Sequence, residues 1–194
     1  MSAELVEIPG YVAGTWVVDP VHSEVGFTVR HLMISKVKGR FAVFESRIVT
    51  AADPLDSSVT ATIDMASVDT GNAQRDDHLR NSDFFEVDEH PTAAYRSTGL
   101  HREGSGFLLE GELTLKGVTR PVPLHLELHG FGPDPYLDDP FSGARLGLTA
   151  TGELDRTDFG IDYNGPIPGG GVAIGEKVRL TLEIQAALQT DAAA

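Results

Sequence analysis

The chain of 194 residues contains no cysteine, which removes disulfide frameworks, thiolate nucleophiles and cysteine metal sites from consideration. It has one tryptophan, and its basic residues are scarce: 15 Lys and Arg stand against 29 Asp and Glu, for a net charge of −14. That balance argues against a nucleic-acid backbone or an anionic membrane surface as the main partner, because both reward Lys and Arg. No apolar window approaches the length of a transmembrane helix, so no integral membrane segment is expected. The opening MSAELVEIPGYVAG lacks a basic region followed by an apolar run, and the cytoplasm is the expected location. Catalytic signatures are missing as well. No Gly-x-Ser-x-Gly elbow supports His22 and Ser23 as base and nucleophile. There is no HExxH, and the glycine run 169–171 lacks the Lys-Ser or Lys-Thr of a phosphate loop.

What is present is alternation. Residues 15–19 (TWVVD) read as a first strand, stopped by Pro20, which has no N–H for a ladder. A turn over 19–23 follows, where short side chains can bond backbone N–H groups. Over 24–31, Val25, Phe27, Val29 and His31 share one face, opposite Gly26, Thr28 and Arg30. Residues 32–38 read as a connection and 39–50 as one long strand of ambiguous orientation, with Phe41 and Val43 set against Ala42, Phe44 and Ile48. Residues 58–65 put Val59, Ala61, Ile63 and Met65 together. Strands resume over 92–100, 106–115, 122–128, 146–154 and 178–188. Between them lie a hairpin turn at Lys116 and Gly117, a Pro- and Asp-rich loop at 132–143 and a glycine-rich connection at 165–175. Leu113 and Leu115 share the apolar face of 106–115. Leu124, Leu126 and Leu128 oppose His125, Glu127 and His129, which makes the latter three a solvated outer face. Residues 1–11 and 191–194 are expected to be mobile.

Many hairpin-spaced alternating strands with a single helix imply an all-β chain, an extended antiparallel sheet with one buried face. Closing it into a barrel of about eight strands removes the long exposed edges. The whole chain reads as one domain. Strands of about eleven residues would span roughly 35 Å, enough to line an elongated cavity.

The interruption is residues 69–85, DTGNAQRDDHLRNSDFF. The spacing predicts a short helix over 72–81, with Thr70 or Asn72 as N-cap. Arg75, His78 and Leu79 share a face, Asp76 and Arg80 form an acid–base pair at i, i+4, and Phe84 and Phe85 are apolar anchors. Too short to be stable alone, the helix is expected to act as a lid. Leu79, Phe84 and Phe85 would close the cavity, with Arg75 and His78 facing a polar head group. The alternative is that Arg75 and Asp76 brace the helix on the barrel.

Six segments carry a family resemblance: VDPVHSEVGFTVRH at 18–31, KGRF at 38–41, the stretch 69–85, EHPTAAYRS at 89–97, GELTLKGVTRPV at 111–122 and RTDFGI at 156–161. In this order and spacing they resemble the YceI-like, polyisoprenoid-binding proteins, over residues 16 to about 188. The resemblance implies an extended lipocalin-like antiparallel barrel with a helix beside it, holding a long hydrophobic chain in a carrier or storage role without established catalysis. Many members carry a periplasmic signal that this sequence does not show.

The candidate ligand-binding residues are therefore Val25, Phe27, Val29, His31, Phe41, Met65, Arg75, His78, Leu79, Phe84, Phe85, Leu113 and Leu115. His31 ends an apolar face and is either a hydrogen-bonded core histidine or a ligand contact. The expected partner is a hydrophobic small molecule, a polyisoprenoid, quinone-type or fatty-acyl lipid that would copurify. No other cofactor is expected, and a homodimer is possible. No metal site is assigned, because the histidines are scattered over different faces. The competing reading is a barrel hydrolase or isomerase using His31 or His78 as acid–base with Asp76 or Asp77 as orienter. Periodicity cannot separate a lined pocket from a packed core.

Overall fold

A computed structural model describes residues 7–136, 144–165 and 167–189. Its strands are β1 (Gly14–Val18), β2 (Glu24–His31), β3 (Ser35–Phe41), β4 (Phe44–Thr50), β5 (Ser58–Asp64), β6 (Val68–Asp69), β7 (Thr92–Glu103), β8 (Gly106–Leu115), β9 (Val118–Pro121), β10 (Leu124–Pro133), β11 (Ala144–Asp155) and β12 (Ile174–Leu188), with one helix, α1 (Ala73–Arg80), after β6. β1, β4, β5, β7, β8, β10, β11 and β12 are neighbours in that order, and β1 pairs back onto β12, so eight antiparallel strands close a barrel. Closure gives each of those strands a paired neighbour on both sides over part of its length.

β12 is shared. Its C-terminal end pairs with β1, Trp16 opposite Leu188, while the part nearer its N-terminus pairs with β2, from Glu183 opposite Glu24 to Ile174 opposite His31. The β2–β3 hairpin thus replaces β1 and extends the barrel wall at one end.

The single strand expected over 39–50 is two strands. Val37 and Phe41 of β3 face inward, as do Phe44, Ser46 and Ile48 of β4, so the inward phase shifts from odd to even across Ala42 and Val43. The backbone N–H groups of those two leave the ladder and donate to Ser67, to its carbonyl at 3.1 Å and its Oγ at 3.0 Å. Two residues rather than one separate the inward Phe41 and Phe44, a one-residue shift that inverts a period-2 pattern, which is why both faces look half apolar. The connection expected over 32–38 shrinks to a three-residue turn, 32–34, and β3 begins at Ser35. In that turn Leu32 and Met33 take left-handed backbone angles, φ 51° and 61°, a conformation costing a non-glycine residue on the order of 1 kcal/mol or more. Strands β7, β10, β11 and β12 all run beyond their expected ends.

One end of the barrel is occupied by a buried cluster around Trp16, beside a small pocket of about 80 Å³ bordered by Tyr11, Thr50 and Phe131. Trp16 is fully buried, its ring meeting Phe131 edge-on at 5.4 Å, with Val18, Ile48, Leu146 and Ala186 around it. The phenol of Tyr11, at the border of the segment expected to be mobile, donates to the Ala51 carbonyl at 2.7 Å beside this plug.

The helix starts where its cap dictates: Asn72 accepts from the Arg75 N–H at 3.0 Å. Thr70 is not a cap. The expected Asp76–Arg80 pair does not form either, since Asp76 is buried and accepts from both the N–H and the hydroxyl of Thr70. Arg80 turns to Asp77, at 2.8 Å, and to the carbonyls of Ala66 and Val68. Arg80 thus ties the helix to the segment before it, and Arg75 and Asp76 tie it there as well through Thr70.

Candidate functional site

The barrel is hollow. A cavity of about 530 Å³ runs along its interior, within the usual range of small-molecule sites. Along β12 its wall extends from Ile174 to Ile184, ten residue steps or roughly 33 Å of strand. All thirteen candidate residues border this one cavity. On β2, Val25, Phe27 and Val29 border the cavity and are only half-buried. The ring of Phe27 leans over Gly39, where any Cβ would collide with it. It lies 5.6 Å from Phe41, which lies 5.9 Å from Phe85. These three rings carry the apolar wall from the sheet across to the segment after the helix.

The two ends of the cavity differ. Toward Trp16 the lining is aliphatic, with Ile48, Leu148 and Ile184. The opposite end reaches solvent at Arg30 and His31, both exposed, and gathers Thr70, Arg75, His78, Arg156 and Tyr163. α1 delivers Arg75 and His78 there. Arg75 donates through Nε to the Thr70 hydroxyl at 2.7 Å and through a terminal nitrogen to the Thr70 carbonyl at 2.9 Å. That uses two of its five N–H groups, and among the described residues it has no carboxylate partner. His78 stacks edge-on against Phe84 and Tyr163, at 5.0 and 4.9 Å. Its Nε2 lies 2.8 Å from Asp83. Asp76 and Asp77 are engaged by Thr70 and Arg80, so neither orients His78 as the acid–base reading required; Asp83 occupies that place.

Among the mouth residues that escaped the sequence reading are Arg30, Arg156 and Tyr163. Arg156 follows the inward phase of Ala150 and Leu154 on β11, a signal that was available. Its buried guanidinium donates to the carbonyls of Ile161, Tyr163, Ile174 and Gly175. It therefore clamps the 161–163 segment to the start of β12. Burial lowers its pKa from the usual arginine value, since desolvation disfavours the charged form. Tyr95, deeper in the wall, donates its phenol to the Val122 carbonyl at 3.1 Å, and burial pushes its pKa up to about 12.

His125 pairs with Glu103 and His129 with Thr149, all on the outer surface. Among the described residues, no three His, Asp or Glu side chains converge as metal ligands would, and no helix is long and apolar enough to cross a membrane.

Comparison with known proteins agrees with this architecture. A UPF0312 protein of Photorhabdus laumondii is 39% identical over 139 residues, 71% of this chain and 70% of its own. The Campylobacter jejuni YceI protein superposes with a TM-score of 0.68 at 26% identity, covering 89% of this chain and 96% of its own. A polyisoprenoid-binding domain from Saccharophagus degradans superposes with a TM-score of 0.64 at 16% identity, over 92% of this chain and all of its own; at that identity it shows the fold alone. The model of the YceI-like domain matches residues 16–186, nearly the whole barrel, and the chain belongs to the YceI-like family.

Proposed function

We propose that the protein binds and carries one long-chain lipid, with the tail inside the barrel and the head group at the mouth formed by Arg75, His78 and Tyr163, and that it performs no chemistry on it. The observation carrying this reading is a hollow, largely apolar interior whose arginine and histidine side chains all gather at one end. A tail would gain about 0.8 kcal/mol of gross transfer free energy per buried methylene, less the cost of ordering it. Such a wall discriminates poorly among tails, so a polyisoprenoid, a quinone side chain or a fatty-acyl chain all suit it. The polyisoprenoid is favoured by the shared fold of the Saccharophagus degradans domain.

Leu79, Phe84 and Phe85 form the cover, and Arg75 supplies N–H groups suited to a phosphate or carboxylate. Extraction of the purified protein with organic solvent, followed by mass spectrometry, tests the assignment. A single class of unchanged lipid in near-stoichiometric amount is expected. The His78–Asp83 contact is the one feature favouring an acid–base enzyme, and cleaved or isomerised lipid in the extract would support that reading instead.

A further inference from the structure

The charge of this protein is unevenly distributed. Arg30, Lys36, Lys38 and Arg40 all lie on the β2–β3 hairpin, and no Asp or Glu occurs from Val25 through Phe44, in a chain of net charge −14. Arg30 sits directly opposite Lys36, and Lys38 one pair further along the same outer face. Like charges facing each other across strands destabilise the pair. Arg40 meets Asp69 at 3.3 Å, but among the described residues Arg30, Lys36 and Lys38 have no carboxylate partner.

The tip of this basic hairpin is apolar. Leu32, Met33 and Ile34 are 44%, 45% and 85% exposed, in a turn where left-handed angles would favour glycine or asparagine. The Leu32 N–H donates to the Ala173 carbonyl at 2.7 Å, which places exposed Val172 beside the tip. His31, Ala173 and Ile174, at the base of the turn, line the cavity mouth. An exposed apolar tip, an unneutralised basic flank and the mouth of a lipid-sized cavity thus coincide.

We propose that this hairpin docks the protein onto an anionic lipid bilayer. Leu32, Met33 and Ile34 enter the headgroup region, Arg30, Lys36 and Lys38 meet lipid phosphates, and the cavity mouth is brought against the surface. Apolar insertion combined with basic attraction is the usual basis of interfacial binding. The overall negative charge does not prevent it, because fields are screened beyond about 10 Å at ordinary salt. The acidic turn at the other end of β2, with Asp19, Glu24 and 83% exposed Val21, points away. Docking is independent of what fills the cavity, so its failure leaves the carrier assignment standing and is distinguishable from it.

The test uses the full chain, sedimented with vesicles of phosphatidylcholine alone or mixed with phosphatidylglycerol. Retention by the mixed vesicles only, weakening as salt rises, is expected. Lys36→Glu with Lys38→Glu, and separately Ile34→Asp, should each lower the partition coefficient by roughly tenfold or more at an unchanged melting temperature. A tryptophan reporter gives a second readout: Ile34→Trp emission should shift to the blue on phosphatidylglycerol vesicles, and Val21→Trp emission should not. No retention by the mixed vesicles, as expected if the tip serves a protein partner, overturns the proposal. So does retention indifferent to these substitutions, or an equal shift at positions 21 and 34.

Discussion

The indole N–H of Trp16 donates to Oγ1 of Thr50 at 2.7 Å, and both residues are buried. The Thr50 hydroxyl in turn donates to the Val12 carbonyl at 2.8 Å. Thr50→Val keeps the shape of the plug and strands the indole donor, which should cost about 1–3 kcal/mol. The urea midpoint should fall at an unchanged slope. Lipid content should not change, because Thr50 does not border the main cavity.

Phe84 and Phe85 are adjacent but differently placed. Phe84 is buried against His78 and Tyr163, whereas Phe85 is half-buried and packs its ring against Phe41 in the cavity wall. Phe84→Ala should destabilise by about 3–5 kcal/mol. Phe85→Ala should cost clearly less and instead speed release of a fluorescent lipid, since affinity changes usually appear in the off-rate. Stopped-flow release alongside thermal melting separates the two.

Arg75→Ala should weaken binding of a phosphorylated isoprenoid about tenfold, near the 1.4 kcal/mol of one charge-assisted hydrogen bond, and affect the free alcohol little. Titration with both ligands measures this. Equal weakening of both, together with a large fall in melting temperature, would make Arg75 a brace for the Thr70 loop.

Tyr95 makes stability sensitive to alkali. The folded protein holds this phenolic proton up to about pH 12, against an ordinary value of 10.0. Between those values the unfolded chain binds fewer protons, so stability falls as pH rises. The contribution is intact below pH 10 and should shrink by on the order of 2 kcal/mol by pH 12. Urea unfolding across that window should show the decline, and Tyr95→Phe should flatten it.

The inward faces were legible wherever a strand ran without interruption. Val25, Phe27 and Val29 follow from strict alternation, as do Leu113 and Leu115, and all five border the cavity. The β3–β4 break was not legible, because the bonds that create it come from Ser67, 24 residues beyond Val43. Asp76 was misplaced for a related reason. A local pairing rule assigned it to Arg80, but the Thr70 loop folds back and offers two donors in a buried site, which outweighs one exposed ion pair. Hollowness itself left no periodic trace, since a residue facing a void and one facing a packed neighbour obey the same alternation.

The charged mouth lies at one end of the barrel and the buried Trp16 cluster at the other, and exchange through the mouth alone would constrain the kinetics. On the proposed function, a chain that enters tail-first by the Arg75 end would leave by the same opening, with no room for a second chain to thread past it. Replacement is then strictly sequential: the resident departs before the newcomer arrives. The observed exchange rate should level off at the spontaneous departure rate however much competing lipid is supplied, so delivery is governed by whatever loosens the cover at the mouth.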